Sequence, residues 1–336
     1  MNGALFRAEA AEGPDVVARQ FAANASAVAE LAAQLRAKPP PFVVTCARGS
    51  SDHAATYAKY LIESTIGIPV VSAAPSMSSV YRTPLRVSGA LHLSISQSGR
   101  SPDLLASVEA AKTGGALTVS LVNDLSSPLA ALADVVLPLH AGSEQSVAAS
   151  KSCLAAFAAL LQLAGAWSEE QVLADAVAAA PEALAEAKAM DWHAGLALAG
   201  ADHLFVIGRG IGLSAAQELA LKFKEMCGLH AEAFSAAEVL HGPATLAGPR
   251  HPVIALIQED ATVPALREVV ARLRGQGAEV LTVEPDGQLS LPALPIAVLR
   301  PLQALQASYR LLADLAEARG VDPDAPPHLR KVTQTT

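Results

Sequence analysis

The sequence predicts an α/β protein of two tandem domains, each a mostly parallel sheet flanked by helices in three αβα layers. Three observations predict it. Short apolar runs alternate with helical patterns along most of the chain, the sign of a parallel sheet covered on both faces. A strand, glycine turn and helix recur at a fixed spacing. The chain has 336 residues, 51% of them hydrophobic, enough for two cores at roughly 150 residues per domain.

The elements follow in order. Residues 1–37 read as an amphipathic helical lead-in, stopped at Lys38-Pro39-Pro40-Pro41, because proline cannot continue a helix. Phe42–Cys46 is a strand signal, broken at Arg48-Gly49-Ser50-Ser51 and followed by a helix over Ala54–Glu63. Further strands are expected at Pro69–Ser72, Leu91–Ser96, Leu117–Val122 and Val135–Leu139, with a helix over Leu104–Thr113. A helical connection spans Cys153 to Gly200, with Pro181 as an interruption. The plan then repeats: strand His203–Ile207, the turn Gly208-Arg209-Gly210-Ile211-Gly212, a helix over Ser214–Cys227, and strands at Ala231–Phe234, Val253–Gln258, Glu279–Val283 and Ile296–Leu299. Arg48-Gly49 recurs as Arg209-Gly210, an offset of 161 positions (209 less 48), and Ala54-Ala55 recurs as Ala215-Ala216 at the same offset. Such a repeat reads as duplication of one domain. The expected organisation is a lead-in over 1–37, a first domain over 38–152, connecting helices over 153–200, a second domain over 201–320 and a tail over 321–336.

Composition excludes several classes. A net charge of −8 argues against nucleic-acid binding, which needs a basic face. The three cysteines, Cys46, Cys153 and Cys227, show no CxxC spacing, so neither a disulfide framework nor a zinc cage is expected and a reducing, cytoplasmic compartment fits. Arg7, Glu9 and Glu12 stand where a signal peptide needs its apolar stretch. The longest uncharged run, Ser152–Ser168, is short for a membrane span and reads as a buried helix.

Four segments could carry chemistry. Ser96-Gln97-Ser98-Gly99-Arg100-Ser101 follows a strand and precedes a helix. A helix N-terminus offers unpaired N–H groups and a favourable dipole, and hydroxyls add donors, so a phosphate monoester suits this place. An ordinary serine-rich turn capped by Ser101 or Asp103 is the other reading. The turn 208–212 lacks the last glycine of a dinucleotide fingerprint, since Leu213 stands there. Gly142–Lys151 is a polar strand-to-helix connection that could equally be a capped helix start. Lys222 and Glu225 share a helix face, for which a solvent-exposed ion pair is the plain reading. Sixteen positions after Glu225 comes His241-Gly242-Pro243, a turn in which function concentrates, though a surface histidine is the plain reading of His241 alone. Carboxylate, lysine and histidine suit aldose–ketose chemistry. Histidine can open a ring near neutral pH, a carboxylate can move a proton between two carbons, and a lysine can steady an enolate oxygen.

Taken together, Cys46–His53, Ser96–Ser101, Gly142–Lys151, Glu218–Glu225, His230–Phe234, His241-Gly242-Pro243 and the tail Leu329–Thr333 resemble the sugar isomerase (SIS) domain family. The wording is most similar to the isomerase half of glucosamine-6-phosphate synthase and to stand-alone, deaminase-like two-domain members. The resemblance implies that Ser51, Ser96, Gln97, Ser98 and Ser101 hold a phosphate, and that Val147 and Ala149 offer backbone groups to a sugar. It implies Glu225 as the proton carrier, Lys222 beside it, His241 as a ring-opening group donated across a homodimer interface, and Lys331 on the open-chain sugar.

Departures are informative. Asn2 stands where the synthase's glutaminase half exposes a cysteine, and the resemblance starts near residue 40, so glutamine-driven synthesis by this chain alone is not expected. Arg100 replaces an acidic residue, Ala149 a serine and Leu240 a lysine. The expected activity is a phosphosugar aldose–ketose isomerase and deaminase, glucosamine 6-phosphate giving fructose 6-phosphate and ammonia. Related amino-sugar or glycated-amine phosphates, an ammonia-using synthase-like isomerase and a non-catalytic phosphosugar sensor are the alternatives. The resemblance implies no cofactor or metal, and neither nucleic acid nor membrane is expected as a partner.

Overall fold

A computed structural model describes residues 3–331. Helices α1 (Ala4–Ala11) and α2 (Gly13–Ala37) lead into β1 (Val43–Cys46), α3 (Ser50–Thr65), β2 (Val70–Ser72), α4 (Pro75–Ser79), β3 (Leu91–Ser96), α5 (Pro102–Thr113), β4 (Leu117–Val122), α6 (Pro128–Leu132) and β5 (Val135–Pro138). Then come α7 (Lys151–Ser168), α8 (Gln171–Lys188) and a 3-10 helix over His193–Gly200. The second series is β6 (His203–Gly208), α9 (Gly212–Cys227), β7 (His230–Ser235), 3-10 turns at Glu238–His241 and Pro243–Thr245, β8 (Val253–Leu256), α10 (Val263–Gly275), β9 (Val280–Glu284), β10 (Leu289–Ser290), a 3-10 turn at Ala297–Leu299 and α11 (Arg300–Ala318).

The described residues form two compact units, interleaved in sequence. The first takes residues 15–144 and 155–178; the second takes those up to Pro14, 145–154 and 179–331. Each holds a five-stranded sheet flanked by helices, β2-β1-β3-β4-β5 in one and β7-β6-β8-β9-β10 in the other. All strand pairs are parallel. In both units the second strand of the series lies outside the first, and the third lies on the first's other side. The two sheets therefore share one topology. Their registers match as well: Val43 pairs with Val70 and Leu204 with Ala231, and Val44 pairs with His92 and Phe205 with Val253, each pair 161 residues after its counterpart. Parallel strands buried on both faces read as near-continuous apolar runs; β1, β3 and β8 are buried at every residue. In such a sheet, ligands bind beyond the carboxyl ends of the strands, where the order reverses. That point lies between β1 and β3 in the first unit and between β6 and β8 in the second.

Two sequence expectations are corrected. Ile296–Leu299 is not a strand: Ala297–Leu299 is a 3-10 turn running into α11, with Pro301 in that helix's first turn, where a missing N–H costs nothing. The sheet edge is taken by Leu289–Ser290 instead. Pro181 does not interrupt the connecting helices, because α8 continues through it. No helix among the described residues is long and apolar enough to cross a membrane. The uncharged run lies in α7, which is buried along most of its length.

Candidate active site

In the first unit, β1 and β3 deliver their following loops to the same switch point. Gly49, at φ 55°, caps α3 and turns the chain so that Ser51 falls in its first turn. After β3, the Ser96 Oγ accepts a hydrogen bond from the Gly99 N–H at 3.0 Å, folding 96–99 into a tight loop. The Gln97 carbonyl accepts from the N–H groups of Asn123 and Asp124 at 3.2 and 3.3 Å, tying this loop to the one after β4. Gly99 is fixed at φ 63°, and a Cβ there would come within 2.7 Å of the Ser127 Cβ and 2.9 Å of the Val122 Cγ2. Ser101 occupies the N-cap of α5, but its side chain makes no cap bond. The side chains of Ser51, Gln97, Ser98 and Ser101 have no hydrogen-bond partner among the described residues.

Ser96, Gln97, Ser98 and Ser101 therefore lead into the N-terminus of α5, and Ser51 lies in the first turn of α3; four of the five have idle donors, chemistry that suits a phosphate. Arg48 is close by and committed: its guanidinium donates to Asp103 Oδ2 at 2.8 and 2.6 Å, and Asp103 is 1% exposed. Arg100 pairs outward with Asp124 at 2.8 Å. Hydrogen bonds from Ser126 and Arg100 hold that aspartate down at about 2.

In the second unit, α9 carries a buried charge cluster. Lys222 is 0% exposed, with its Nζ 2.7 Å from Glu225 Oε2 and 3.0 Å from Glu218 Oε1, itself 0% exposed. Burial alone would lower the lysine's pKa, but the charges of Glu218 and Glu225 outweigh it and hold the ammonium above its ordinary range. Glu225 keeps 24% of its side chain exposed, so it alone of the three can meet a ligand. The solvent-exposed reading of Lys222 and Glu225 is thus corrected, since the lysine is in the core.

The polar stretch before α7 is also built. Glu9 on α1, 4% exposed, accepts from the N–H groups of Gln145 and Ser146 at 2.6 and 3.0 Å. Burial then alternates: Ser146, Ala148 and Ser150 point inward, while Val147 and Ala149 are half-exposed. Tyr309 donates to the Ser150 carbonyl at 3.1 Å.

His241 ends the 3-10 turn Glu238–His241 and is exposed. The next residue, Gly242, has φ 143°. The His241 side chain makes no hydrogen bond among the described residues. Lys331 is half-buried and is the last described residue, so Val332 and Thr333 of the quoted tail lie outside them. The structure thus gathers Ser51, Ser96, Gln97, Ser98 and Ser101 in one unit, and Lys222 with Glu225 in the other. It does not hydrogen-bond His241 to that pair. Sequence reasoning missed Glu218 and Glu9. The 218, 222, 225 spacing of one helix face could have flagged the first, whereas Glu9 acts across 136 residues and leaves no local signal. Among the described residues, no cluster of three or more His, Cys, Asp or Glu side chains could hold a metal ion.

The sequence model of the SIS domain matches residues 41–166 and 197–293, both sheets and the helices between their strands. The chain belongs to the SIS domain family. Among curated relatives of this SIS chain, the glutamine–fructose-6-phosphate aminotransferase (isomerizing) of Zymomonas mobilis subsp. mobilis is 34% identical over 315 residues, 86% of this chain and 51% of that protein. The chain spans about half the length of the curated relatives it matches. Among solved structures, a candidate phosphosugar isomerase from Silicibacter pomeroyi DSS-3 is 40% identical with a TM-score of 0.90, covering 96% of this chain and 100% of its own. A glucosamine-6-phosphate deaminase from Thermotoga maritima, 21% identical over 99% of this chain and 100% of its own, shares the fold with a TM-score of 0.77.

Proposed function

We propose that the chain is a phosphosugar aldose–ketose isomerase that releases amine, converting glucosamine 6-phosphate and water to fructose 6-phosphate and ammonia. The observation that carries this reading is the α9 cluster. A fully buried ammonium is held 2.7 Å from a carboxylate that still reaches solvent, a pairing suited to moving a proton on carbon beside a developing oxyanion. The loop Ser96–Ser101 with Ser51 holds the phosphate, and the backbone at Val147 and Ala149 meets the sugar. His241, donated by the partner of a homodimer, returns a proton to the ring oxygen as the ring opens. Glu225 takes the proton from carbon 2 and gives it to carbon 1, leaving an imine at carbon 2. Water adds there, the carbon–nitrogen bond breaks, and ammonia leaves with the ketone behind. Lys222 and Lys331 steady the charge on the open chain, and Glu218 positions Lys222. No cofactor enters these steps. In this reading residues 38–152 and 201–320 are the two SIS domains, residues 321–336 complete the site, and the enzyme works in the cytoplasm.

The similarity to the Zymomonas aminotransferase favours a second reading of the same site, the reverse reaction fed by ammonia. One assay addresses both: ammonia release from glucosamine 6-phosphate and from galactosamine 6-phosphate, and glucosamine 6-phosphate formed from fructose 6-phosphate with ammonium. Glu225→Gln is expected to lower kcat by roughly 10²–10⁴-fold with sugar-phosphate binding retained. Full activity in that variant would remove Glu225 from the mechanism. No turnover of any of the three substrates by the wild-type protein would remove the reaction.

A further inference from the structure

The repeated fold gives the chain two switch points. The offset of 161 carries Ser96-Gln97-Ser98-Gly99-Arg100-Ser101 onto Ile257-Gln258-Glu259-Asp260-Ala261-Thr262, and Ser51 onto Gly212. The glycines that turn the chain before the two helices are conformational twins, Gly49 at φ 55° and Gly210 at φ 56°. Yet the second cleft is filled from within. Gln258, 1% exposed, lies across it. Its amide donates to the Arg209 carbonyl and to Thr262 Oγ1, and its Cδ is 3.1 Å from where a Cβ on Gly212 would sit. Asp260 stands in the place of Gly99. Its Oδ1 accepts from the Thr262 N–H at 2.7 Å and from the Thr262 hydroxyl, so a carboxylate oxygen occupies the donors at the start of α10.

Other observations mark the place as fit for an anion. The Nε of Arg300, a side chain 3% exposed, has no hydrogen-bond partner among the described residues, and Arg300 lines with Gln258 and Gly212 one cavity of only about 10 Å³, the room of a single water. Arg300 is held there by Glu259 at 3.0 Å. Arg209 matches Arg48, but Pro264 stands where Asp103 holds Arg48, and Arg209 has no ion pair among the described residues.

We propose that the second switch point is a latent phosphate site, kept shut by the chain's own Asp260 carboxylate and Gln258 amide, so that the chain takes one phosphate group and not two. The count rests on reading Ser51 and Ser96–Ser101 as the open site. Replacing Glu259 and Asp260 by the Ser and Gly of the first loop removes both carboxylates and releases the Arg300 Nη2 from its ion pair, while Nη1 keeps its bonds to the Pro292 carbonyl and Gln303.

The experiment counts equivalents of inorganic phosphate bound to wild-type protein, to Ser51→Ala/Ser98→Ala and to Glu259→Ser/Asp260→Gly, with circular dichroism and thermal melting as controls for folding. One, none and two equivalents are expected. Two on the wild type, or one remaining on Ser51→Ala/Ser98→Ala, would mean that the second cleft is already open and would overturn the proposal. No second equivalent on folded Glu259→Ser/Asp260→Gly would overturn it as well. Should that variant not fold, Asp260→Ala, which removes the oxygen that occupies the α10 donors, is read in the same way. If the wild type binds none, the phosphate reading of the first loop fails by itself. A gain of one equivalent on Glu259→Ser/Asp260→Gly would still support the latent site, and no gain would overturn it.

Discussion

Tyr57, Leu61 and Ser64 on α3 occupy the positions that Glu218, Lys222 and Glu225 occupy on α9, 161 residues later. Tyr57 and Leu61 are fully buried in one unit, and Glu218 and Lys222 are fully buried in the other. On the central strand the contrast is reversed. β3 carries His92, Ser94 and Ser96, all buried, where β8 and the residue after it carry Val253, Ala255 and Ile257. Each copy thus has one polar layer and one apolar layer, and the two copies have exchanged them. The topology offers the same cleft twice. Which end of it becomes polar depends on where the copy can compensate buried charge, because an unpaired polar group in a core costs several kcal/mol. In the first copy that place is a strand end and its loop. In the second it is a helix face on which lysine and two glutamates satisfy one another.

The largest expected effect breaks the helix half of this contrast. Lys222→Met gives α9 an apolar side chain where α3 has Leu61, but takes the ammonium away from the buried Glu218 carboxylate and from Glu225. Removing one partner of a buried pair costs about 3–5 kcal/mol, and urea unfolding should show it. Adding Glu218→Gln removes the buried negative charge that faced the ammonium and should recover most of the loss. A single variant as stable as wild type would mean that the lysine does not hold the cluster together.

The loops differ next. Gly99→Ala must place a Cβ within 3 Å of Ser127 and Val122 at positive φ. A left-handed conformation costs a non-glycine residue about 1–2 kcal/mol, and overpacking adds about 1–3 kcal/mol. Gly210→Ala bears the first penalty and a milder second one, since its nearest neighbour would be the Thr262 Cγ2 at 3.3 Å, which need give by only a few tenths of an ångström. Equal losses in the two variants would end the claim that the first loop is the more tightly drawn.

The strand half of the contrast is a matter of pH. His92, 2% exposed, lies 3.2 Å from both Ser94 and Ser107, and burial pushes its pKa from 6.5 down to about 4. Above pH 6.5 the ring is neutral whether the chain is folded or not. Between pH 6.5 and 4 the unfolded chain binds the proton and the folded one does not, so stability falls as the medium is acidified, by about 3 kcal/mol in all. His92→Val, which installs the second copy's residue, should flatten that stretch of the stability–pH curve. An unchanged slope would assign the acid loss to other groups.

The strands of both copies were legible because buried parallel strands are short continuous apolar runs. Leu91–Ser96 and Leu117–Val122 were found to the residue. Ile296–Leu299 was misread for the same reason: an apolar run is also what precedes a buried helix such as α11. The polar loop Ser96–Ser101 before α5 could be read because its residues are contiguous and its place after a strand is local information. The burial of Lys222 could not, since the spacing of a helix face does not say which way that face points. The self-closure of the second cleft escaped as well, because only the fold brings Gln258 against Gly212.

The smallest effect tests the two N-caps against each other. Ser101 and Thr262 are equivalent positions, each the cap residue before its helix. The Ser101 hydroxyl does nothing for the fold, as it makes no cap bond. Thr262 is fully engaged, donating to Asp260 and accepting from Gln258. Ser101→Ala should therefore leave stability within about 0.5 kcal/mol of wild type, as surface changes away from special contacts do. It should weaken sugar-phosphate binding by roughly tenfold or more, since a hydrogen bond to a charged group is worth about 1.5–3 kcal/mol. Thr262→Ala should do the opposite, costing about 1 kcal/mol of stability and leaving binding as it was. Calorimetric titration and urea unfolding on both variants give a two-by-two result. If both variants lose stability and neither loses binding, Ser101 is a structural cap, and the first loop is an ordinary turn rather than a cradle.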